Sequence, residues 1–422
     1  MINLNAERAT CVHEEVAKRI LNIRFMFGNE ETMEQKKEMK QNTSASILRF
    51  VPIGIFLALI FGFTVWTFFS EKRSFSDNEN RLLAQMPNFT VEKLLDGSFG
   101  SEYETYLSDQ FFLRDSWIYM KACSERVLLK QDINGVYFGK DGYLIEKHDN
   151  AKVDTEILNR NLQRMADFIK KYAESLGEEH VKVMLVPTAS DTLQNKLPPF
   201  AIGFDQEAMR EQAQSMVPDG TFVDVSGVLK SHAAEYIYYR TDHHWTTLGA
   251  YYAYEEWAKA CGLTPIPLSE YKEVVASDEF FGTLHSKINM PVAPDTMYLY
   301  EKEGAKYEVE YNMDGVVYDS LYIDKHLEGK DKYSVYLGGN NALVEINSEN
   351  KNGEKLLIIK DSFAHSFTPF VLEHFETTYM IDFRYFNMPV SQFIEEYGIT
   401  DILVLYNEIN LATDAYSLHF TR

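Results

Sequence analysis

The longest unbroken apolar stretch covers residues 50–69, FVPIGIFLALIFGFTVWTFF, and carries no charge. Wound as a helix, it reaches across the roughly 30 Å of a bilayer's hydrocarbon core. Pro52 falls in the first turn, where its missing N–H costs little, and Trp66 lies near the far end, where interfacial aromatics collect. No small-residue cleavage pattern follows, so residues 48–70 read as an uncleaved anchor and not as a signal peptide. The unbroken length also argues against a buried core helix. Beyond the anchor, residues 71–150 suggest helices at 90–96, 101–107 and 110–130, then a hairpin from Gly135 turning at Asp141-Gly142. No catalytic constellation stands out in this juxtamembrane region.

From 151 to 422 the period changes to an alternation of helix and strand. Ile157, Leu158, Leu162, Met165, Phe168, Ile169 and Tyr172 predict a helix over 153–176 ended by Gly177, and 181–186 is a short apolar strand. A helix at 205–216, strands at 221–225 and 236–239, and a helix at 246–260 follow. Residues 263–350 then hold strand-like stretches, at 297–300, 307–311 and 316–323, with no long helix between them. Alternation resumes with strand 355–359, helix 363–375, strand 379–383, helix 389–397 and strand 402–406. This order predicts an α/β domain on a parallel sheet, with a β-rich insertion at about 263–350.

Charge narrows the functions open to such a domain. The 41 basic and 63 acidic side chains leave a net charge of −22, which removes the electrostatic basis for binding nucleic acid. Three cysteines exclude a disulfide scaffold and a multi-cysteine zinc framework. Twenty-six Tyr and 28 Phe suit sugar or protein surfaces better than phosphate. Lys36, Lys37, Lys40 and Arg49 precede the span and Lys72, Arg73 and Arg81 follow it. That bias, with the large domain downstream, predicts a cytoplasmic N-terminus and an extracytoplasmic domain. Residues 1–47 are then a cytoplasmic tail, amphipathic over 6–26, with Met33 or Met39 as alternative starts.

In open parallel sheets, functional groups gather at the carboxyl ends of strands. Those ends hold Thr188, Ser190 and Asp191; Thr241-Asp242-His243-His244-Trp245; Lys360-Asp361-Ser362-Phe363; Arg384-Tyr385; and Asn407. Ser362 sits at a strand–turn–helix elbow. It is either a nucleophile with amides near Phe363 stabilising an oxyanion, or the N-cap of the helix that follows. Asp242 and His244 are two apart and share a side of an extended loop, so the carboxylate can orient the imidazole as a base. The competing role is a polar loop capping helix 246–260. Asp242, His243, His244 and His365 also form a possible metal set. Adjacent histidines rarely share one ion and no His-Glu-x-x-His spacing occurs, so neither metal nor cofactor is expected. Arg384 suits a substrate carboxylate or carbonyl as well as a surface salt bridge. Asn340, in Gly338-Gly339-Asn340, suits an oxyanion donor as well as a turn. Phe363, Arg384, Asn340 and Trp245 complete the candidate oxyanion and substrate-binding set.

The Asp242-His243-His244-Trp245 loop and the late Lys360-Asp361-Ser362-Phe363 resemble the DHHW family. That family is similar to alginate O-acetyltransferase components of the SGNH hydrolase-like superfamily. Phe281-Gly282-Thr283-Leu284, Arg384, Gly135-Val-Tyr-Phe-Gly-Lys-Asp-Gly-Tyr and the stretch from Phe75 to Arg81 extend the resemblance over roughly 71–410. It implies an SGNH hydrolase-like three-layer fold and a Ser362–His244–Asp242 triad. His243 falls on a variable position, and Lys360 stands where many SGNH hydrolases carry glycine. The implied activity is O-acylation, with acetyl as the expected group, of a cell-surface or secreted polysaccharide. A multispanning membrane acyltransferase is the implied partner that supplies acyl groups. A carbohydrate esterase would use the same triad. A catalytically inactive polysaccharide-binding or assembly protein would instead use the β-rich stretch and aromatics as a platform.

Overall fold

The computed structural model describes residues 49–422 apart from Asp77 and Asn80, with isolated helical positions between Val16 and Met26. The rest of the expected tail, including Met33 and Met39, lies outside the described residues. The chain forms two compact units, residues 1–73 with 84–112 and residues 74–83 with 113–422.

In the first unit, Arg49–Phe69 is one 21-residue helix, long and apolar enough to cross a membrane. Most of its large apolar side chains are exposed. Near its end Trp66 packs on Phe112 with ring centroids 4.9 Å apart, and Thr67 Oγ1 accepts the Phe112 amide at 3.2 Å. The Gln110 side chain accepts from the Arg73 amide and donates to the carbonyls of Arg73 and Ala84.

The second unit is built on seven strands: β1 (Val181–Val186), β2 (Glu308–Tyr311), β3 (Val317–Tyr318), β4 (Leu343–Asn347), β5 (Lys355–Lys360), β6 (Thr377–Ile381) and β7 (Asp401–Asn407). They lie in the order β3-β2-β4-β6-β5-β7-β1. β6, β5, β7 and β1 are parallel, whereas β4, β2 and β3 add on antiparallel. The sheet is therefore mixed. Strands from the stretch expected to form an insertion prolong it, covering hydrogen-bonding groups that β4 would otherwise leave open at an edge.

Side-chain alternation explains why the parallel strands read as continuous apolar runs. Val181, Val183 and Leu185 of β1, with Leu357 and Ile359 of β5, face one layer. That layer holds helices α1 (Thr155–Leu176), α2 (Gln206–Met216) and, near the C-terminus, Val390–Tyr397. Met184, Val186, Leu356 and Ile358 point the other way, onto α3 (Thr247–Ala260) and α4 (Ala364–Val371). The Asp154 carboxylate caps α1 by accepting the amides of Glu156 and Ile157.

Two expected strands shrink to single bridges. Residues 221–225 contribute only Phe222 against Val183, and 236–239 only Tyr238 against Trp245. A ribbon joins Tyr271–Phe280, a strand that the sequence reading does not mark, to Asp295–Lys302, which contains the expected 297–300. Its first strand is polar and largely open to solvent, so no apolar alternation announces it. The hairpin near Gly135 forms, pairing Val136–Phe138 with Leu144–Glu146, with Asp141 and Gly142 at positive φ in the turn.

Candidate active site

The loop before α3 is anchored from the far end of the ribbon. Asp295, fully buried, accepts the amides of Arg240 (2.9 Å) and Thr241 (2.7 Å) and the hydroxyls of Thr241 (2.6 Å) and Tyr236 (2.5 Å). With its backbone so held, the loop presents Asp242. Its Oδ1 accepts the His244 amide at 3.0 Å and His244 Nδ1 at 2.5 Å, and its Oδ2 accepts the Thr283 amide at 2.7 Å and hydroxyl at 3.0 Å. Burial pushes the Asp242 carboxyl up, but the adjacent histidines and these donors outweigh it and hold it well below the usual range. An ionised Asp242 fixes the proton on His244 Nδ1. Nε2 is then an acceptor, and it lies 2.7 Å from Ser362 Oγ.

Space as well as hydrogen bonding sets this arrangement. A Cβ on Gly282 would sit 2.2 Å from Asp242 Cβ and 2.4 Å from its Oδ2, so only glycine lets residues 282–283 reach the carboxylate. Thr283 gives its hydroxyl proton to Asp242, so His243, whose Nδ1 lies 2.7 Å from that oxygen, donates to it. His243 is the more exposed of the two histidines and has no bond to Ser362. The His244 ring stacks on Tyr333 at 3.9 Å and 8°. The Tyr333 hydroxyl also donates to the Ser362 carbonyl at 3.3 Å.

Ser362 follows β5 directly. Asp361 is buried and accepts the amides of Phe363 (2.9 Å) and Asn407 (2.7 Å) and Asn410 Nδ2 (2.7 Å), which sets the turn. Three expectations are corrected here. The Phe363 amide is committed to Asp361 and so does not face an oxyanion. Among the described residues, the Ser362 amide has no hydrogen-bond partner and is the elbow donor left open. Trp245 is fully buried and donates Nε1 to the Phe363 carbonyl at 2.9 Å, joining the two loops instead of meeting substrate. The capping roles also fall elsewhere: α4 starts from Phe363 with no side-chain cap, and α3 is capped by Thr246.

Ser362, His244, His243 and Asp242 line a cavity of about 710 Å³, together with Arg384, Asn340, Tyr333 and His365. Asn340 is exposed and follows three residues of positive φ, Leu337, Gly338 and Gly339. Arg384 is half-exposed and grips buried Asp382 through Nε (2.8 Å) and Nη2 (2.5 Å). Glu79, Arg81 and Asn134 also line the cavity, so residues 71–150 contribute to its wall although nothing in their sequence signalled it. Arg81, Lys287, Lys330 and Arg384 share the lining with Glu79, Asp242 and Asp331, so it carries both signs of charge. The donor atoms of Asp242, His243 and His244 lie within 4.8 Å of one another, as a metal set would require. Yet both Asp242 oxygens, both His244 nitrogens and His243 Nδ1 already have hydrogen-bond partners. His365 belongs to a different group, paired with Lys360 at 2.7 Å. Thr188 and Ser190 bond to each other and to Gln206, away from Ser362, and Asn407 holds the Val186 carbonyl.

Two measurements test this geometry. Gly282→Ala is expected to lower stability by about 1–3 kcal/mol in urea melts, through overpacking against Asp242. Gly227→Ala, where an added Cβ meets open space, is expected to be neutral or mildly stabilising. Asp242 titrates below its ordinary value, so its stabilising contribution is present above about pH 4 and is lost as pH falls further. Asp242→Asn should therefore flatten the acid limb of stability against pH. An unchanged acid limb would place the carboxylate outside the network described.

Comparison with known proteins completes the picture. The DHHW protein family model matches residues 162–381, just over half of the chain. No curated protein matches the sequence. The crystal structure of a DHHW family protein from Eubacterium siraeum is 27% identical, with a TM-score of 0.57, over 69% of this chain and 96% of that one. Bacillus cereus PatB1 with a sulfonyl adduct shares the fold at 19% identity and a TM-score of 0.54, over 68% of this chain and 96% of its own. The O-acetyltransferase domain of Pseudomonas putida AlgJ aligns at 14% identity and a TM-score of 0.38, over 66% and 93%. Both halves of the site, the Asp242–Trp245 loop and the Ser362 elbow, fall within the matched span, and the chain belongs to the DHHW protein family.

Proposed function

We propose that this protein is a membrane-anchored, extracytoplasmic O-acyltransferase of the SGNH hydrolase-like kind. Its substrate class is a cell-surface or secreted polysaccharide, and acetyl is the acyl group. The observation that carries this reading is the hydrogen-bonded relay Asp242–His244–Ser362, with steps of 2.5 and 2.7 Å, opening on a cavity of about 710 Å³. A serine hydroxyl is a weak nucleophile until a neighbouring base takes its proton, and an ionised carboxylate on the other ring nitrogen supports that base.

In the first half-reaction Ser362 Oγ attacks the acyl carbonyl carbon while His244 Nε2 takes the hydroxyl proton. The oxyanion lies toward the open Ser362 amide. Collapse expels the donor's leaving group, which receives the proton back from His244. In the second half, a sugar hydroxyl gives its proton to His244 and attacks the acyl-serine carbonyl. Collapse returns the proton to Ser362 and releases the sugar ester. Water in place of the sugar would make the same site an esterase.

The helix Arg49–Phe69 supports an anchored arrangement. With the cytoplasmic N-terminus that the flanking charges favour, the domain would meet envelope polysaccharide directly. Acyl groups made in the cytoplasm must then cross the bilayer, and one helix offers no path. A multispanning acyltransferase is the partner this chemistry calls for.

The full chain in detergent, incubated with an activated acetyl ester, should gain one acetyl mass on Ser362, and Ser362→Ala should gain none. A polysaccharide fragment should then discharge the adduct faster than water does; discharge by water alone would make the protein an esterase. A folded protein that forms no adduct would instead favour a binding or assembly role. His244→Ala should reduce acylation by on the order of 10⁶-fold, and Asp242→Asn by the smaller factor of roughly 10⁴. His243→Ala should keep most activity, and equal losses at both histidines would overturn the choice of base.

A further inference from the structure

Lys360, the last residue of β5, is buried at 1% exposure. Its Nζ lies 2.7 Å from His365 Nε2 and 3.7 Å from the Asp382 carboxylate. An ammonium group has three donors and no acceptor, so His365 Nε2 must accept from it. A neutral imidazole that accepts at Nε2 carries its proton on Nδ1. Burial and the Lys360 charge keep His365 neutral, far below its usual pKa. Burial lowers Lys360 to about 8, which leaves it charged at neutral pH beside Asp382. The residue taking the place of the usual glycine thus selects the tautomer of His365.

The selected N–H points to an unfilled role. His365 is 2% exposed, and its Nδ1 is buried with no hydrogen-bond partner among the described residues. The side chain lines the cavity that holds Ser362. The two residues are three apart, and the His365 amide donates to the Ser362 carbonyl at 3.3 Å, so both stand on one side of the opening turn of α4. Folded proteins rarely keep a buried donor without an acceptor. Nδ1 itself is closed to solvent, so an oxygen that arrives with substrate can be its acceptor only as the cavity wall around His365 yields.

We propose that His365 is a further substrate-contacting residue, whose Nδ1–H donates to the acyl carbonyl oxygen alongside the Ser362 amide as negative charge builds on that oxygen. The proton stays on Nδ1 throughout, so no proton transfer is added to the reaction. Lys360 acts through His365 as a positioning residue. The inference rests on the reading of Ser362 as the nucleophile.

The test uses the full chain in detergent, with the activated acetyl ester as probe and the acylation rate followed by intact mass. His365→Leu should slow acylation by about 10²-fold, the usual effect of removing one oxyanion donor, with KM unchanged. His365→Asn, which keeps a donor near the Nδ1 position, should recover to within about tenfold of wild type. Lys360→Met keeps the side-chain volume but releases the tautomer, and should slow kcat with little change in KM. Nitrogen NMR of histidine-labelled wild type should show His365 protonated at Nδ1, shifting toward a tautomer mixture in Lys360→Met. An Nε2–H tautomer in the wild type overturns the proposal even if the variants fail to fold. So does wild-type acylation by His365→Leu, or a loss confined to KM. A wild type that forms no acetyl adduct would fail the nucleophile reading instead, and the NMR result would still stand on its own.

Discussion

The site depends on a single carboxylate whose two oxygens do different work. Asp242 Oδ1 holds the imidazole of His244, and Oδ2 holds the amide and hydroxyl of Thr283. The bonds to Thr283 form only because residues 282–283 approach closer than any side chain at 282 would allow, so a hydrogen atom at one position helps to fix the carboxylate that holds His244. Burial makes this ionised carboxylate costly on its own, and the surrounding donors repay that cost. One layer out, two more buried carboxylates gather donors, although there burial prevails and raises both carboxyls. Asp295 gathers the donors of Tyr236, Arg240 and Thr241, and Asp361 gathers those at the serine elbow. Three buried carboxylates thus shape three turns, and the reacting groups are what those turns present.

Much of this was legible in the chain. Period-3.6 and all-apolar runs located α1, α3 and the parallel strands to within a few residues, because burial on both sheet faces leaves a strong pattern. Asp242, His244 and Ser362 stood out because an Asp-x-His pair and a strand–serine–helix elbow carry recognisable chemistry. Hydrogen bonds between residues distant in sequence were not legible. Nothing around Tyr333 signals that it stacks on His244, 89 positions earlier, and nothing near Asp295 announces the amides of residues 240 and 241. The Phe363 amide was misassigned for a local reason: an aspartate two residues before an amide can claim it, and Asp361 does. The 271–280 strand was hidden because a strand open to solvent along most of its length need not alternate.

Lys360 illustrates how a buried charge gains a physical account. As sequence it is a charge that closes an apolar strand. In the structure its ammonium lies between Asp382 and His365, and Asp382 is also gripped by Arg384. A row of alternating charge and neutral ring leads from the carboxyl end of the sheet to the cavity.

The sheet order bears on how this protein is made. β7 lies between β5 and β1 yet comes latest in sequence of the seven strands. Asp361, beside Ser362, takes donors from Asn407 and Asn410 at and beyond the end of that strand. A nascent chain that has emerged through residue 400 already contains Asp242, His244 and Ser362 but lacks the strand that joins β5 to β1. Pairings of such long sequence separation form slowly. The Ser362 turn is therefore completed only after nearly the whole domain has been synthesised, so a stalled or truncated product would lack the donors that shape it.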